Sequence, residues 1–499
     1  MKKIKKLLFV LSLVSMVGCN GTTSSISSSD SQSSEVSSSE TSSSSVESSS
    51  SSSEEIIVSQ TLYCSSSVRP YTNRAGTEED PMNIIDAISI LPKGGTILLM
   101  DGTYNLYETL QFNSWTEKNV ATKESERKTF KAINSQKAIF DCSGMSFNST
   151  NRGLSISSSY WTISGLEVFG AGDNGIYIGG NHNIIEDCVT HDCSDTGIQL
   201  GRANSSQDSI DTWPSYNLIK NCTSFDNHDP LGEDSDGFAC KLTTGVGNVF
   251  DGCIAYNNVD DGWDLYTKGD TGPIGPVILR NCVAFNNGVT TGQNTNGKPY
   301  GTPNSDGNGF KLGGEVISVQ HEVYNCVAFN NLACGFTDNS NPGTIRLENC
   351  TSYNNGARDY DANNFDLCRN VDTSNNYMKN LFSYCDNNYA FNLASNKTFN
   401  SKDQYKGTAV NSIFYYGRTM LKFSGIEECD YTLEELRGSI IESEGSPFVS
   451  TQVPDRMGDI HKLLRDENGN VNLGDFLKIK DSFVNSAFNH EVSLGAKLY

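Results

Sequence analysis

A four-residue pattern returns along the chain in which the second and fourth places are mostly apolar. It reads Gly175-Ile176-Tyr177-Ile178, Gly197-Ile198-Gln199-Leu200, Gly237-Phe238-Ala239-Cys240, Gly262-Trp263-Asp264-Leu265, Gly309-Phe310-Lys311-Leu312, Gly335-Phe336-Thr337-Asp338, Asn364-Phe365-Asp366-Leu367 and Ala390-Phe391-Asn392-Leu393. Alternation with period two is the signature of a strand with one buried face, so the third place points outward. A second pattern interleaves with the first. Cys188, Cys222, Cys253, Cys282, Cys326 and Cys350 follow one another at 34, 31, 29, 44 and 24 residues. From Cys222 onward each is followed four and five residues later by Asp226-Asn227, Asn257-Asn258, Asn286-Asn287, Asn330-Asn331 and Asn354-Asn355. A looser copy, Asn380-Leu381-Phe382, carries Leu in the Cys place. A short strand-like unit repeated with variable insertions predicts a solenoid, an all-β right-handed parallel β-helix whose coils stack like residues about 4.8 Å apart. Each coil is expected to hold two strands joined by an Asn turn, with the paired Asn forming a ladder inside it.

The ends read differently. Met82 to Leu91 has apolar spacing suited to a short helix behind Asp80-Pro81, expected to plug the open N-terminal end of the coil. The coils are expected over residues 57–425, running regularly from about 135, with irregular coils and a cap over 426–499. Residues 201–216, 266–275 and 288–306 are Gly/Asn/Thr-rich excursions beside the middle coils, and loops grafted onto one part of a rigid stack mark its working face.

Composition sets the compartment. Residues 1–18 carry Lys2, Lys3, Lys5 and Lys6 before an apolar run, which reads as an export signal. Met16-Val17-Gly18-Cys19 resembles the lipobox of bacterial lipoproteins, with Met16 where Leu is usual, and predicts lipidation of Cys19. Residues 19–56 are dominated by Ser and predict a disordered tether. The expectation is an extracellular, cell-surface lipoprotein (or a secreted one), monomeric, touching membrane only through its lipid. Without the four signal lysines, 33 basic residues face 59 acidic ones, a net charge of −26. That disfavours nucleic acid as partner and means any acidic polysaccharide must be met by a local cationic site. The 15 cysteines invite disulfides in an exported chain, but the six aligned ones read as a stack of buried thiols. Pairs among Cys193, Cys334, Cys368, Cys385 and Cys429 stay open.

Folded into columns, the sequence brings chemistry together. The place before the glycine holds Asp236, Asp261 and Asn308 on successive coils; the place before that holds Ser235, Asp260 and Gly307; the outward third place holds Ala239, Asp264 and Lys311. Asp236, Asp260, Asp261 and Asp264 therefore converge, with Lys311 one coil on. Four such carboxylates need a counter-charge, and an all-oxygen set without His or Cys suits Ca²⁺ better than zinc. An Asp-rich turn with no metal, or a Ca²⁺ that only stabilises the coils, fits the same residues. Lys311 beside a bound cation is expected to have a depressed pKa and to serve as a base. Lys241 points outward two places beyond Ala239 and is a candidate contact for a substrate carboxylate, with Arg202, Arg346 and Arg358 weaker ones.

The segments Asp234 to Leu242, Asp260 to Leu265 and Asp306 to Gly314, in that order, resemble the motifs of the family 9 polysaccharide lyases, the pectate lyases built on a ten-coil right-handed β-helix; Asp338 to Gly343 is also similar. The resemblance spans roughly residues 60–395. It implies that Asp236, Asp260, Asp261 and Asp264 hold Ca²⁺ and that Lys311 is the catalytic base. It further implies β-elimination on a plant-type acidic polysaccharide such as pectate, with an alkaline optimum. The chain departs from the family in its 288–306 insertion, its cysteine column and its Ser tether. Three rival functions follow from the same residues: a β-helical hydrolase using paired Asp, a Ca²⁺-stabilised adhesin, and a lyase acting on another uronate polymer such as rhamnogalacturonan or alginate. The hydrolase lacks the Gly-His-Gly motif usual for pectin hydrolases of this architecture.

Overall fold

The computed structural model describes residues 60–288, 305–356, 363–367, 376–386, 407–416, 419–423, 440–442, 445–454 and 463–499. The expected export signal, the Ser-rich segment, Cys19, residues 289–304, Arg358, Cys368, the expected strand Ala390 to Leu393 and Cys429 lie outside these. Ile57–Tyr499 forms one compact unit.

The chain winds into a parallel β-helix. Each regular coil carries three short strands, not the two expected, and strands from successive coils pair in three sheets. Several of the missed strands, such as Leu218–Lys220 and Arg346–Glu348, are three residues long with one buried side chain each, too short to show a period. Among the described residues they belong to a twelve-stranded sheet that begins at Thr61–Cys64, so coiling starts well before residue 135. Among the described residues the Gly-led strands and their neighbours form a nine-stranded sheet from Leu110–Phe112 to Phe365–Asp366. The strands that follow the cysteines form a thirteen-stranded sheet, whose last two strands, Thr419–Phe423 and Ile440–Glu442, pair antiparallel.

Local chemistry explains the corners. The residues before the cysteines, Asp187, Asn221, Gly252, Asn281, Asn325 and Asn349, all take φ between 51° and 68°. So do the first members of the Asn pairs, Asp226, Asn257, Asn286, Asn330 and Asn354, at 51–55°. Asn, Asp and Gly tolerate this left-handed region best. The second members are fully buried and join side chain to side chain: Asn227 to Asn258 (2.8 Å), Asn258 to Asn287 (2.9 Å), Asn287 to Asn331 (2.8 Å) and Asn331 to Asn355 (2.8 Å). One Asn thus turns the chain while the next ties the coils together.

The expected N-terminal helix spans Ile84–Ile90, capped by the Asn83 side chain, and buries Ile84, Ala87 and Ile88. Inside the coil Phe238, Trp263, Phe310, Phe336 and Phe365 stack with centroids 4.7–5.0 Å apart, holding the nine-stranded sheet in register. All twelve cysteines among the described residues are buried, Cys193, Cys334 and Cys385 among them. The C-terminal residues do not close the end of the coil alone. Phe448, Leu464, Phe476, Val484 and Leu498 pack on the outer face of the thirteen-stranded sheet, against Phe225, Phe285 and Phe329 among others.

Candidate active site

The site lies on the outer face of the nine-stranded sheet. Its register pairs Gln199 with Ala239, Ala239 with Asp264, and Asp264 with Lys311, so the outward column is the one expected. The glycines preceding these strands are required by close approach. A Cβ on Gly262 would stand 2.6 Å from the Gly309 carbonyl oxygen. This keeps the neighbouring coils tight enough for Asp236, Asp261 and Asn308 to interlock.

Each interlocked carboxylate spends one oxygen on the next coil. Asp236 Oδ1 accepts from Asp261 N at 3.2 Å, and Asp261 Oδ1 accepts from Asn308 N at 2.6 Å and Asn308 Nδ2 at 2.8 Å. Asp260 Oδ1 accepts from Asp306 N at 2.6 Å. Thr196 Oγ1 donates to Asp236 Oδ2 at 3.0 Å. The remaining oxygens converge in two overlapping groups, Asp236–Asp261–Asp264 and Asp260–Asp261–Asp306, each with ligand atoms within 4.8 Å of one another. Asp261 belongs to both. Asp264 Oδ1 is buried with no hydrogen-bond partner, and Asp261 Oδ2 has none beyond its ion pair with Lys311.

Two lysines enter this nest. Lys311 Nζ lies 3.1 Å from Asp261 Oδ2 and 3.0 Å from Asp306 Oδ2, below the Tyr266 ring at 5.5 Å from its centroid. Tyr266 Oη donates to Glu315 Oε1 at 3.1 Å. Lys241 Nζ lies 2.7 Å from Asp236 Oδ2 and 3.1 Å from Asp264 Oδ2. Asp236, Asp260, Asp261, Asp264, Lys241 and Lys311 therefore meet in one place. Lys241 does so as a partner of the carboxylates, not as the free outward cation expected. Arg346 is on the twelve-stranded sheet, paired with Glu348 and remote from this face. Asp306, Asn308 and Thr196 were not singled out from sequence. Asn308 and Thr196 share the column of Asp236, which is the signal that marks them.

Burial pushes the carboxyls of Asp236 and Asp261 up to about 7, against the pull of Lys241 and Lys311 respectively. Burial and the adjoining Asp261 carry Asp260 well above the carboxylate range. The depression of the Lys311 pKa is expected beside a bound cation, and the bare carboxylates act the other way. Burial lowers it, but the carboxylates of Asp261, Asp264, Asp260 and Asp306 outweigh that and hold the ammonium well above its ordinary value. Five carboxyl groups face two ammoniums, so they can all ionise together only if further positive charge enters the nest. Its donors are all oxygen and two of them lack hydrogen bonds, which fits a hard divalent cation such as Ca²⁺. The nest opens to a cleft of about 600 Å³ lined also by Asp195, Gln199, Asp234 and Lys268. Burial pushes Asp195 up to about 6, opposed by Lys241 and reinforced by Asp173.

Residues 66–380 match the family described as "Pel9A-like, right handed beta helix region". The chain is 39% identical over 394 residues to Pectate lyase L of Paenibacillus polymyxa (strain SC2), an alignment covering 79% of this chain and 76% of that one. It is 44% identical over 296 residues to Pectate lyase L of Thermoclostridium stercorarium, covering 59% of this chain and 22% of that protein. Among solved structures, pectate lyase Pel9A superposes with a TM-score of 0.61 at 24% identity, covering 84% of this chain and 89% of that one. A rhamnogalacturonan lyase superposes with a TM-score of 0.62 at 21% identity, covering 88% and 99%. The structural likenesses bear on the fold, and with the family match they give the coil its right hand.

Proposed function

The chain belongs to the Pel9A-like right-handed β-helix family and is a polysaccharide lyase; from that premise we propose that it cleaves pectate by Ca²⁺-assisted β-elimination with Lys311 as the base. The observation that carries the reading is the buried ammonium of Lys311 at the mouth of an all-carboxylate nest on the cleft floor. Asp236, Asp260, Asp261 and Asp264 would hold the cation, with Asp306 within reach of the same oxygens. When bound, a divalent cation supplies positive charge for the sugar carboxylate and for the negative charge that develops beside it.

The chain's own groups do the rest. Lys311, once deprotonated, accepts the proton on the carbon bearing the carboxylate (C5). The electrons of that C–H bond form the C4–C5 double bond, and the C4–oxygen bond of the glycosidic link breaks. The leaving oxygen takes its proton from water. Tyr266, over Lys311, limits where the ammonium can go. Lys241 lines the same cleft and is the second cation available to a sugar carboxylate. For the N-terminal residues the reading is an export signal to residue 18, a lipid on Cys19 and a Ser-rich tether to residue 56, which would present the enzyme at the cell surface as a monomer.

The test is a panel of polygalacturonate, rhamnogalacturonan and alginate, followed by the ultraviolet absorbance of an unsaturated product, with added Ca²⁺ and with a chelator. Absorbance from polygalacturonate that the chelator abolishes is the expected result. New reducing ends without absorbance would mean hydrolysis and overturn the reading.

A further inference from the structure

We propose that a second subsite, built around Arg152 and Trp115, binds a uronate residue of the same polysaccharide on the N-terminal side of the cleft; the class of its ligand rests on the lyase reading above. Arg152 stands before Gly153 as Asn174, Thr196, Asp236 and Asp261 stand before their glycines. Leu154, Ile176, Ile198, Phe238 and Trp263 pair in register across those coils. Arg152 thus occupies the column of the acidic nest, three coils from Asp236 and four from Asp261, or about 14 and 19 Å at the spacing of paired strands. It puts a cation where the nest puts carboxylates.

The guanidinium is fixed before any ligand arrives. Its Nε donates to Asp173 Oδ2 at 3.1 Å, and its plane lies 3.4 Å from the centroid of the Tyr177 ring. Tyr177 is anchored in turn by its hydroxyl on the Arg202 carbonyl oxygen at 2.9 Å. The two terminal nitrogens have no carboxylate partner among the described residues. They form the fork that recognises a carboxylate in two-point fashion, with little ordering cost left to meet.

The surroundings suit a sugar. Arg152 lines a groove of about 560 Å³ whose other lining groups, Gln111, Asn113, Ser155 and Gln207 among them, are uncharged donors and acceptors. No carboxylate lines the groove and Asp173, the partner of Arg152, is buried, so in a chain of net charge −22 a polyanion is repelled less here than elsewhere. Trp115 stands at its edge 95% exposed, its backbone fixed by the Asn113 side chain at 2.9 Å. An indole left in water on an ordered turn is a platform for the apolar face of a pyranose ring. The excursion over 201–216 builds the far wall. Gln207 ties it down, donating to Gly179 O at 3.0 Å and Thr212 O at 2.8 Å. The groove and the catalytic cleft share one sheet face, so one extended chain can cross both.

The experiment compares Arg152→Ala and Trp115→Ala with wild type on polygalacturonate and on trigalacturonate, which is shorter than the span between the two places. The preference for polymer, as the ratio of kcat/KM on polymer to that on trimer, should fall about 10-fold in each variant through KM. Arg152→Lys should recover part of the loss. In chelator, where turnover stops, affinity electrophoresis should show weaker retention of Arg152→Ala by polygalacturonate. Carboxyl-reduced polymer should retain wild type and Arg152→Ala equally. An unchanged polymer preference in the exposed Trp115→Ala variant together with unchanged retention of Arg152→Ala overturns the proposal. The retention arm needs no catalysis, so a wild type that makes no unsaturated product sinks the lyase reading and leaves the subsite to stand or fall by itself.

Discussion

At the scale of the residue, the central fact is that Lys311 is held protonated by the carboxylates that would bind the cation. Asp261, Asp264, Asp260 and Asp306 all raise its pKa. A base must be neutral, and a group with a raised pKa is charged below that value and neutral only above it. Elimination should therefore rise with pH through the alkaline range, be slight at pH 5, and depend on a cation that takes over the carboxylates. Lys311→Ala should lower kcat by about 10²–10⁴-fold, the usual worth of a positioned base. A pH–rate profile of wild type alongside single-turnover rates of the variant checks both. Full activity at pH 5 would remove Lys311 from the role. The residue types of this site were readable in sequence because stacking converts sequence spacing into distance. The reach of Asp306 was not: its carboxylate meets Lys311 Nζ at 3.0 Å from the edge of a long insertion, and an insertion's path has no local signature.

At the scale of the element, the coil is held by two jobs given to adjacent residues. Asn286 takes φ 54° and turns the chain; Asn287 is buried and bonded above and below. Asn287→Ala would leave the buried Asn258 backbone N–H without its acceptor and take one bond each from Asn258 Nδ2 and Asn331 Oδ1, at a cost of about 1–3 kcal/mol by the usual penalty for an orphaned buried group. Urea unfolding of wild type and variant measures it, and a change under 0.5 kcal/mol, typical of an ordinary surface turn, would contradict the ladder's importance. The Asn pair was legible as a repeat, but the division of labour within it was not, because both members are the same amino acid and only the backbone dihedral separates them. The third strand of each coil escaped for a related reason. A segment such as Leu218-Ile219-Lys220, with one inward side chain, carries no periodicity to detect.

At the scale of the whole molecule, one sheet of the coil is apolar on both faces and the C-terminal residues lie across it. Arg465 marks the junction. It is buried and donates to Cys222 O at 2.8 Å, Gly252 O at 2.9 Å and Thr223 Oγ1 at 2.9 Å. Arg465→Met should cost about 2–4 kcal/mol by stranding those acceptors and should increase dye binding to exposed apolar surface below the main unfolding transition. An unchanged transition with no added dye binding would show the cover to be incidental. The outward apolar residues were in view as Val283-Ala284-Phe285 and Val327-Ala328-Phe329, but a run apolar throughout does not say what covers it. By itself the sequence determined the alternation of inward and outward side chains, the stacking of coils and the meeting of Asp236, Asp260, Asp261 and Asp264 with Lys311, since all three follow from local periodicity repeated at nearly fixed intervals. Only the tertiary structure decided which carboxylates share oxygens, where Lys241 points, what Arg152 faces and what lies over the thirteen-stranded sheet. Those depend on loop paths and on contacts between residues as far apart as Cys222 and Arg465, and no periodicity along a chain encodes where its irregular segments return.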